Sequence, residues 1–371
     1  MKYLNLLTII VILLSCDSRQ DKSSVPQKYL TNIDLLEKGS MYLLLDSETT
    51  PNIGETVIYK ADSSNYLVFF NSNNYMFYFY NLKTTNLEKK IKFDKDGPNG
   101  LGSRIASFLI EDDKFLIHSY YSNEILTADF NGNVLKRFKI DIKSDEIYPN
   151  SNRKMPLTKI NDVYFLYTGQ SCNSKNIKET KSALLQITQD GQRLLAEFPE
   201  LYSLESDAHY WPSGFCDISF TKGSNNQLYF SYTLDKNLYS VSDSDQIVQS
   251  HQILMNDIEI DESPVLKKSF DQDPRREQSK IFARTRFSSL YYDEYRKVFI
   301  RRIDEPIIER SNGKMQSSSK LQIIDENFNI LGYSEIKGKD HFFFTDKGMY
   351  QIIFSTQMED SLKIKHYEYS F

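Results

Sequence analysis

Residues 114–140 read KFLIHSYYSNEILTADFNGNVLKRFKI. The run Lys114–His118 is a short strand. A second strand, a tight turn at Phe130-Asn-Gly-Asn133 and a third strand follow over 124–140. Alternation of apolar and polar residues at a period of two, interrupted by Asn, Asp and Gly, is the mark of antiparallel sheet. The turn residues fit because Asn, Asp and Gly tolerate the positive φ that hairpins require.

The same unit recurs on both sides of this stretch. Comparable first members begin near Tyr66 (YLVFF), Val163 (VYFLY), Gln227 (QLYFS), Lys297 (KVFIR) and Gly348 (GMYQIIF). With Lys114 that makes six copies at intervals of roughly 50–70 residues, the length of a propeller blade with insertions. Turns of one type follow the units: NLKTTN at 81–86, TQDG at 188–191, SDSD at 242–245 and DENFN at 325–329. Long amphipathic helices are missing. The predicted fold is all-β, a six-bladed β-propeller, with seven blades as the alternative count.

The two ends of the chain support six independently. The last copy holds three strands, near 341–345, 348–355 and 361–369, while an orphan strand, Ser40-Met-Tyr-Leu-Leu-Leu45, precedes the first full set at Thr56. An N-terminal strand completing the last blade closes the ring and removes exposed edges. The propeller domain is thus expected over 40–371.

The 371 residues are 40% hydrophobic and 26% charged with a net charge of −5, a globular composition able to bury a large core. Mild acidity argues against broad nucleic-acid binding, which needs clustered Lys and Arg. At the N-terminus, MKYLNLLTIIVILLSC has one Lys, then an apolar run from Leu4 to Leu14 too short to span a bilayer comfortably. This predicts a signal peptide over 1–15. Leu13-Leu14-Ser15-Cys16 resembles the bacterial lipobox, which implies lipidation at Cys16 and an extracytoplasmic protein anchored to a bacterial membrane. The polar DSRQDKSSVPQ that follows reads as the start of a flexible tether over 16–39. Asp17 resembles an inner-membrane retention signal, which bacterial lineages read differently, so the choice of membrane and leaflet stays open.

The lipobox, the six-fold blade pattern and Phe93-Asp-Lys-Asp-Gly-Pro-Asn-Gly100 ahead of a blade resemble the six-bladed propeller lipoproteins of Bacteroidota. These are relatives of NHL and TolB-like propellers, largely of unknown function. The resemblance spans nearly the whole chain and implies fold and location rather than activity.

Loop lengths point to one face. The segments 94–104, 141–154, 169–181, 199–214, 254–285 and 304–319 fall on the face that carries the openings of the innermost strands, and only short turns fall on the other. Residues at the start of the innermost strands are expected to ring the channel there: Arg104, Arg153 and Lys154, Trp211, Arg284 and Arg286, and His341. Guanidinium forks suit carboxylate, sulfate or phosphate, so this basic ring suggests an anionic ligand. The alternative is structural pairing with Asp207, Asp217 and Asp340.

Asp207-Ala-His-Tyr-Trp-Pro-Ser-Gly214 holds the only Trp beside His209, and such a rim stacks on sugar or peptide unless it packs as a plug. Asp273-Pro274 opens a predicted short helix reaching Arg284, which lids the same face. Cys172 and Cys216 are candidates for a disulfide worth about 3–4 kcal/mol, with two buried free thiols as the alternative.

Searches for His-Glu-x-x-His, Gly-x-Ser-x-Gly, Cys-x-x-Cys and phosphate-cradling glycine loops find none. Asp94-Lys-Asp-Gly97 lacks the remaining ligands of a calcium loop and reads as a turn. No metal or cofactor is expected, since the five histidines show no ligand spacing. Two functions follow. The first is a binding or scaffolding lipoprotein engaging an anionic or glycan ligand, or an envelope protein, and no nucleic acid. The second is an extracellular glycosidase, lyase or lactonase, with Arg104, Arg153 and Arg286 imitating a sialidase arginine triad; the repeated aspartate box of that family is absent.

Overall fold

A strand that is apolar on both faces must be covered on both sides, and a ring of sheets stacked face to face does this for every blade at once. A computed structural model of the chain describes residues 31–371 except 50–52, 62–63, 142–146, 170–181, 203–208, 212–213, 245–246, 256–257, 267–282, 307, 310–314, 317, 339–340 and 354–359. It shows six antiparallel sheets in a ring. The only helical turn among the described residues is the 3₁₀ segment Glu200–Tyr202.

Blade 1 comprises Thr56–Ala61, Ser64–Asn71, Met76–Asn81 and Leu87–Lys92, from the channel outward. Blade 2 runs from Ile105–Glu111 to Val134–Lys139, blade 3 from Thr158–Ile160 to Gly191–Glu197, and blade 4 from Ile218–Lys222 to Gln249–His251. Blade 5 comprises Arg286–Asp293, Val298–Asp304, Ser319–Asp325 and Ile330–Ile336. Blade 6 contains Phe342–Thr345, Gly348–Ile353 and Ser361–Glu368. Its outermost strand is Leu36–Leu44, paired from Leu36 opposite Glu368 to Leu44 opposite Ser361. The closure read from the chain ends is therefore present, and the blade count is six.

The propeller begins earlier than residue 40. The backbone N–H of Ile33 donates to the Tyr333 carbonyl at 2.8 Å, and Ile33 is buried among Val298, Ile300 and Tyr369. Ile33 and Leu35 already carry the strand period, so the expected tether loses its last residues to blades 5 and 6.

The cores lie between blades. Phe77 of blade 1 packs on Phe108 and Phe115 of blade 2 with ring centroids 4.8 and 4.3 Å away. Tyr229 of blade 4 meets Phe299 of blade 5 at 4.5 Å. Middle strands are accordingly buried almost throughout, as in Met76–Asn81, whereas the outer strand Leu87–Lys92 exposes Glu88, Lys89 and Lys90, charges that discourage edge pairing. The repeated turns share one device. Asp129 Oδ1 accepts from the N–H groups of Asn131 and Asn133, and Asp325 Oδ1 from those of Asn327 and Asn329. The loop after Phe93 turns tightly at Gly100, where a Cβ would lie 2.5 Å from the Asp96 backbone.

The long connections do gather on one face. Among the described residues they join the outermost strands of blades 1 to 4 to the next blade, within 93–104, 140–157, 198–217 and 252–285, and link two strands of blade 5 within 305–318. Two short ladders brace them: His209–Tyr210 with Val265–Leu266, and Ile308–Glu309 with Met315–Gln316. Except for Ala283 and Arg284, the segment predicted as a helix over 273–284 lies outside the described residues, as do the signal peptide and Cys16.

Ring closure depends on side chains of the N-terminal strand. Leu43 is fully buried between blades 6 and 1 while Leu44 is 73% exposed. Leu43→Ala is expected to cost about 2–5 kcal/mol in chemical denaturation and Leu44→Ala less than about 0.5 kcal/mol; equal effects would mean that this strand does not hold the ring closed.

Candidate functional site

The innermost strands all open toward the loop-rich face, so the residue at each opening reaches the channel mouth. Blade 1 supplies Glu55 and Thr56, the connection leading into blade 3 Arg153 and Lys154, blade 4 Asp217, blade 5 Arg286 and blade 6 His341. Blades 3 and 6 face each other in a ring of six. The Arg153 side chain crosses between them: its Nη1 donates to His341 Nδ1 at 2.8 Å, and His341 Nε2 lies 2.5 Å from Thr56 Oγ1. A guanidinium can only donate, so Nδ1 is the acceptor, Nε2 carries the proton, and the ring donates to the threonine.

Burial, reinforced by the neighbouring Arg153 charge, holds His341 well below the usual histidine range. The ring is neutral at physiological pH, which the contact with Arg153 requires. Glu55 behaves in the complementary way. Protein surrounds its carboxyl on nearly every side although the channel leaves it half-buried, and this desolvation pushes its pKa up to about 8 against the pull of Arg153. Asp217 is raised by the same cause, countered by Lys154 and by a hydrogen bond from Tyr167. The mouth thus offers cationic donors from Arg153 and Lys154, a carboxylic acid at Glu55 and a second acidic side chain, Asp217, whose ionisation burial opposes.

Other expected ring members are placed differently. Trp211 does not line a rim: it is fully buried, its Nε1 donates to the Tyr202 carbonyl at 3.0 Å, and its ring packs on Tyr202 and Phe215. It is a plug, because a large apolar ring with one donor gains most where that donor finds a backbone carbonyl inside the core. His209 is half-buried on the ladder with Leu266. Arg284 turns to the 261–263 loop, with Nε 3.0 Å from Asp261 Oδ2, and lies over Phe215. Arg104 is exposed and stacks over Tyr120 at 4.9 Å. Arg286 lies 3.6 Å from Asp304, a partner outside the expected aspartates. Asp207 and Asp340 lie outside the described residues. The ring is therefore not uniformly basic.

Cys216 is buried and disulfide-bonded. Its partner, and Cys172, lie outside the described residues. His118 is a core histidine, with Nδ1 2.7 Å from Ser151 Oγ and its pKa lowered to about 4 by burial. Among the described residues no group of three His, Cys, Asp or Glu is placed to share a metal ion, and no helix is long and apolar enough to cross a membrane. Glu55 and Thr56 escaped the reading of the sequence, although the rule that selected Arg104 and His341 selects them once blade 1 is included.

Six four-stranded blades around a polar channel mouth define the chain as a six-bladed β-propeller with a loop-borne candidate site. It belongs to the family described as Domain of unknown function (DUF4221), whose model matches residues 32–335. A DUF4221 family member from Bacteroides vulgatus shares the fold with a TM-score of 0.72 at 14% identity, over 91% of this chain and 99% of that one. A Bacteroides fragilis protein described as exported aligns with a TM-score of 0.53 at 11% identity, over 91% of this chain and 95% of the other. No curated protein matches the sequence.

Glu55 takes up a proton on folding, since its pKa lies near 8 in the folded state against an ordinary 4.5. Stability carried by this group therefore falls as pH rises from about 4.5 to about 8. Glu55→Gln is expected to leave the melting temperature unchanged at pH 4 and to raise it by on the order of a few degrees at pH 8. An equal shift at both pH values would show that Glu55 titrates normally.

Proposed function

We propose that this protein is a lipid-anchored binding or scaffolding module of the bacterial envelope, which takes an acidic glycan or a similar hydroxylated anion on its loop-rich face. The observation that carries the reading is the convergence of Arg153, Lys154, Glu55, Thr56 and Asp217 from three blades at one channel mouth. Cationic donors suit the oxygens of an anionic ligand, and the Glu55 carboxyl, kept protonated by burial, suits ligand hydroxyls, which both donate and accept. Long loops on a rigid ring are where such recognition concentrates. The lipobox at Leu13–Cys16 supports the anchor and the extracytoplasmic location.

One observation favours a second reading as a glycosidase or lyase. Glu55, protonated near neutral pH in a channel, has the character of a general acid.

Thermal unfolding of the intact protein in detergent, screened with galacturonate, glucuronate, sialate and neutral sugars, tests the binding reading. An acidic sugar is expected to raise the midpoint in wild type and to have no effect on Arg153→Ala, because ligands of the native state stabilise by mass action. No shift with any acid would overturn the reading. Turnover of the same acids, lost in Glu55→Gln, would move the protein to the second one. For the anchor, Cys16→Ser is expected to abolish labelling by a fatty-acid analogue and to release the protein from the membrane fraction; labelling that survives the substitution would refute it.

A further inference from the structure

Arg301 and Arg302 are neighbours on the second strand of blade 5 and project from opposite faces. Arg301 faces blade 4 and is fully buried. Each of its three nitrogens has an acceptor, Nη2 meeting Met255 Sδ at 3.2 Å. Its Nε donates to Gln322 Oε1 at 2.9 Å, its Nη1 to the Lys236 carbonyl at 2.9 Å, and its plane lies 3.7 Å from the centre of the Phe287 ring. The fold evidently can complete a buried guanidinium that has a structural task.

Arg302 shares its face with Val298 and Ile300, which pack against Phe342 and Met349 of blade 6. It is 8% exposed. Its Nε donates to Asp304 Oδ1 at 2.7 Å and its Nη2 to Ser319 Oγ at 2.8 Å, but Nη1 is sealed from solvent and meets no acceptor. Ser288 occupies the bulge between Phe287 and Ser289, and Ser289 is the residue opposite Arg302. The Ser288 hydroxyl is likewise buried without a partner. Two orphaned donors on adjacent strands of blade 5 are costly in a protein interior, where polar groups are otherwise paired.

The nearby carboxylate does not complete them. Asp304 Oδ1 is taken by Arg302 and by Ser319 Oγ at 2.9 Å, while Oδ2 stands 3.6 Å from Arg286 Nη2, beyond hydrogen-bonding distance. Arg286 is partly exposed and opens the innermost strand on the loop-rich face, in front of Arg302.

We propose that Arg286, Arg302 and Ser288 form a receptor for an acid group, the oxygens of a carboxylate, sulfate or phosphate, in the seam between blades 5 and 6. The acid arrives past Arg286, which exchanges its present contacts, the one to Asp304 among them, for the ligand. Its oxygens accept from Arg286, from the bare Nη1 of Arg302 and from the Ser288 hydroxyl. Asp304 is a positioning residue that holds the Arg302 fork, and its charge competes with the incoming acid. The inference rests on the reading of an anionic ligand on the loop-rich face and assigns its acid group to this seam, leaving Arg153 and Lys154 to the ligand's hydroxyl oxygens.

Isothermal titration of the intact protein in detergent with sodium sulfate and with galacturonate, against sodium chloride at equal ionic strength, tests it. Wild type binds both. Arg302→Met is expected to weaken both by about tenfold or more, as loss of a charge-assisted donor does, and Ser288→Ala by several-fold. Asp304→Asn is expected to tighten both several-fold, a gain that a purely structural network would not give. If Arg302→Met fails to fold, Ser288→Ala and Asp304→Asn decide. Unchanged affinity in Ser288→Ala with weakened affinity in Asp304→Asn overturns the receptor. Galacturonate binding that survives Arg302→Met but is lost in Arg153→Ala overturns it while leaving the broader binding reading intact. Sulfate binding lost in Arg302→Met, with no sugar acid bound by wild type, sustains the receptor and sinks the glycan reading.

Discussion

The pairing of Leu36–Leu44 with Ser361–Glu368 is the contact on which the rest of the molecule depends. A blade has two apolar faces and two edges, and only a closed ring covers the faces of all six. The N-terminal strand gives the last blade its fourth member and sends Leu43 into the seam between blades 6 and 1. Charged contacts along the same strand, such as Lys365 to Glu37 at 2.7 Å, lie on the surface and add little. The hydrogen-bonded ladder and the buried leucine perform the closure.

Closure also creates the channel mouth. Residues far apart in sequence meet there because each opens or leads into an innermost strand, and Arg153 and His341 touch only because their blades stand opposite one another. Enclosure by protein then sets the chemistry. Desolvation disfavours charge, so His341 and Glu55 are held neutral, while the Arg153 guanidinium, which can only donate, takes the imidazole as acceptor. The result is a polar mouth with few net charges, unlike the basic ring that residue types alone suggest.

The arginines show how far sequence position falls short of side-chain role. Arg284 and Arg286 are two residues apart, yet one turns to the 261–263 loop and the other to Asp304. Arg301 and Arg302 are adjacent, yet one is complete and the other lacks an acceptor. The period of two sends neighbours to different seams, and the seams differ in what they offer.

The strand period, the turns rich in Asn, Asp and Gly, the chain ends and the lengths of the connections are local signals. From them the sequence alone determined an all-β, six-bladed ring closed by its N-terminus with its long loops on one face. Glu55 was legible in principle, since it occupies the same position before blade 1 as His341 does before blade 6. The burial of Trp211, the Arg153–His341 bridge and the orphaned donors of Arg302 and Ser288 were not legible. Each depends on which side chains from distant blades share a seam and how much water is left beside them. Only the closed tertiary structure decides that, because desolvation and hydrogen-bond completion are properties of the assembled surroundings and not of the residue.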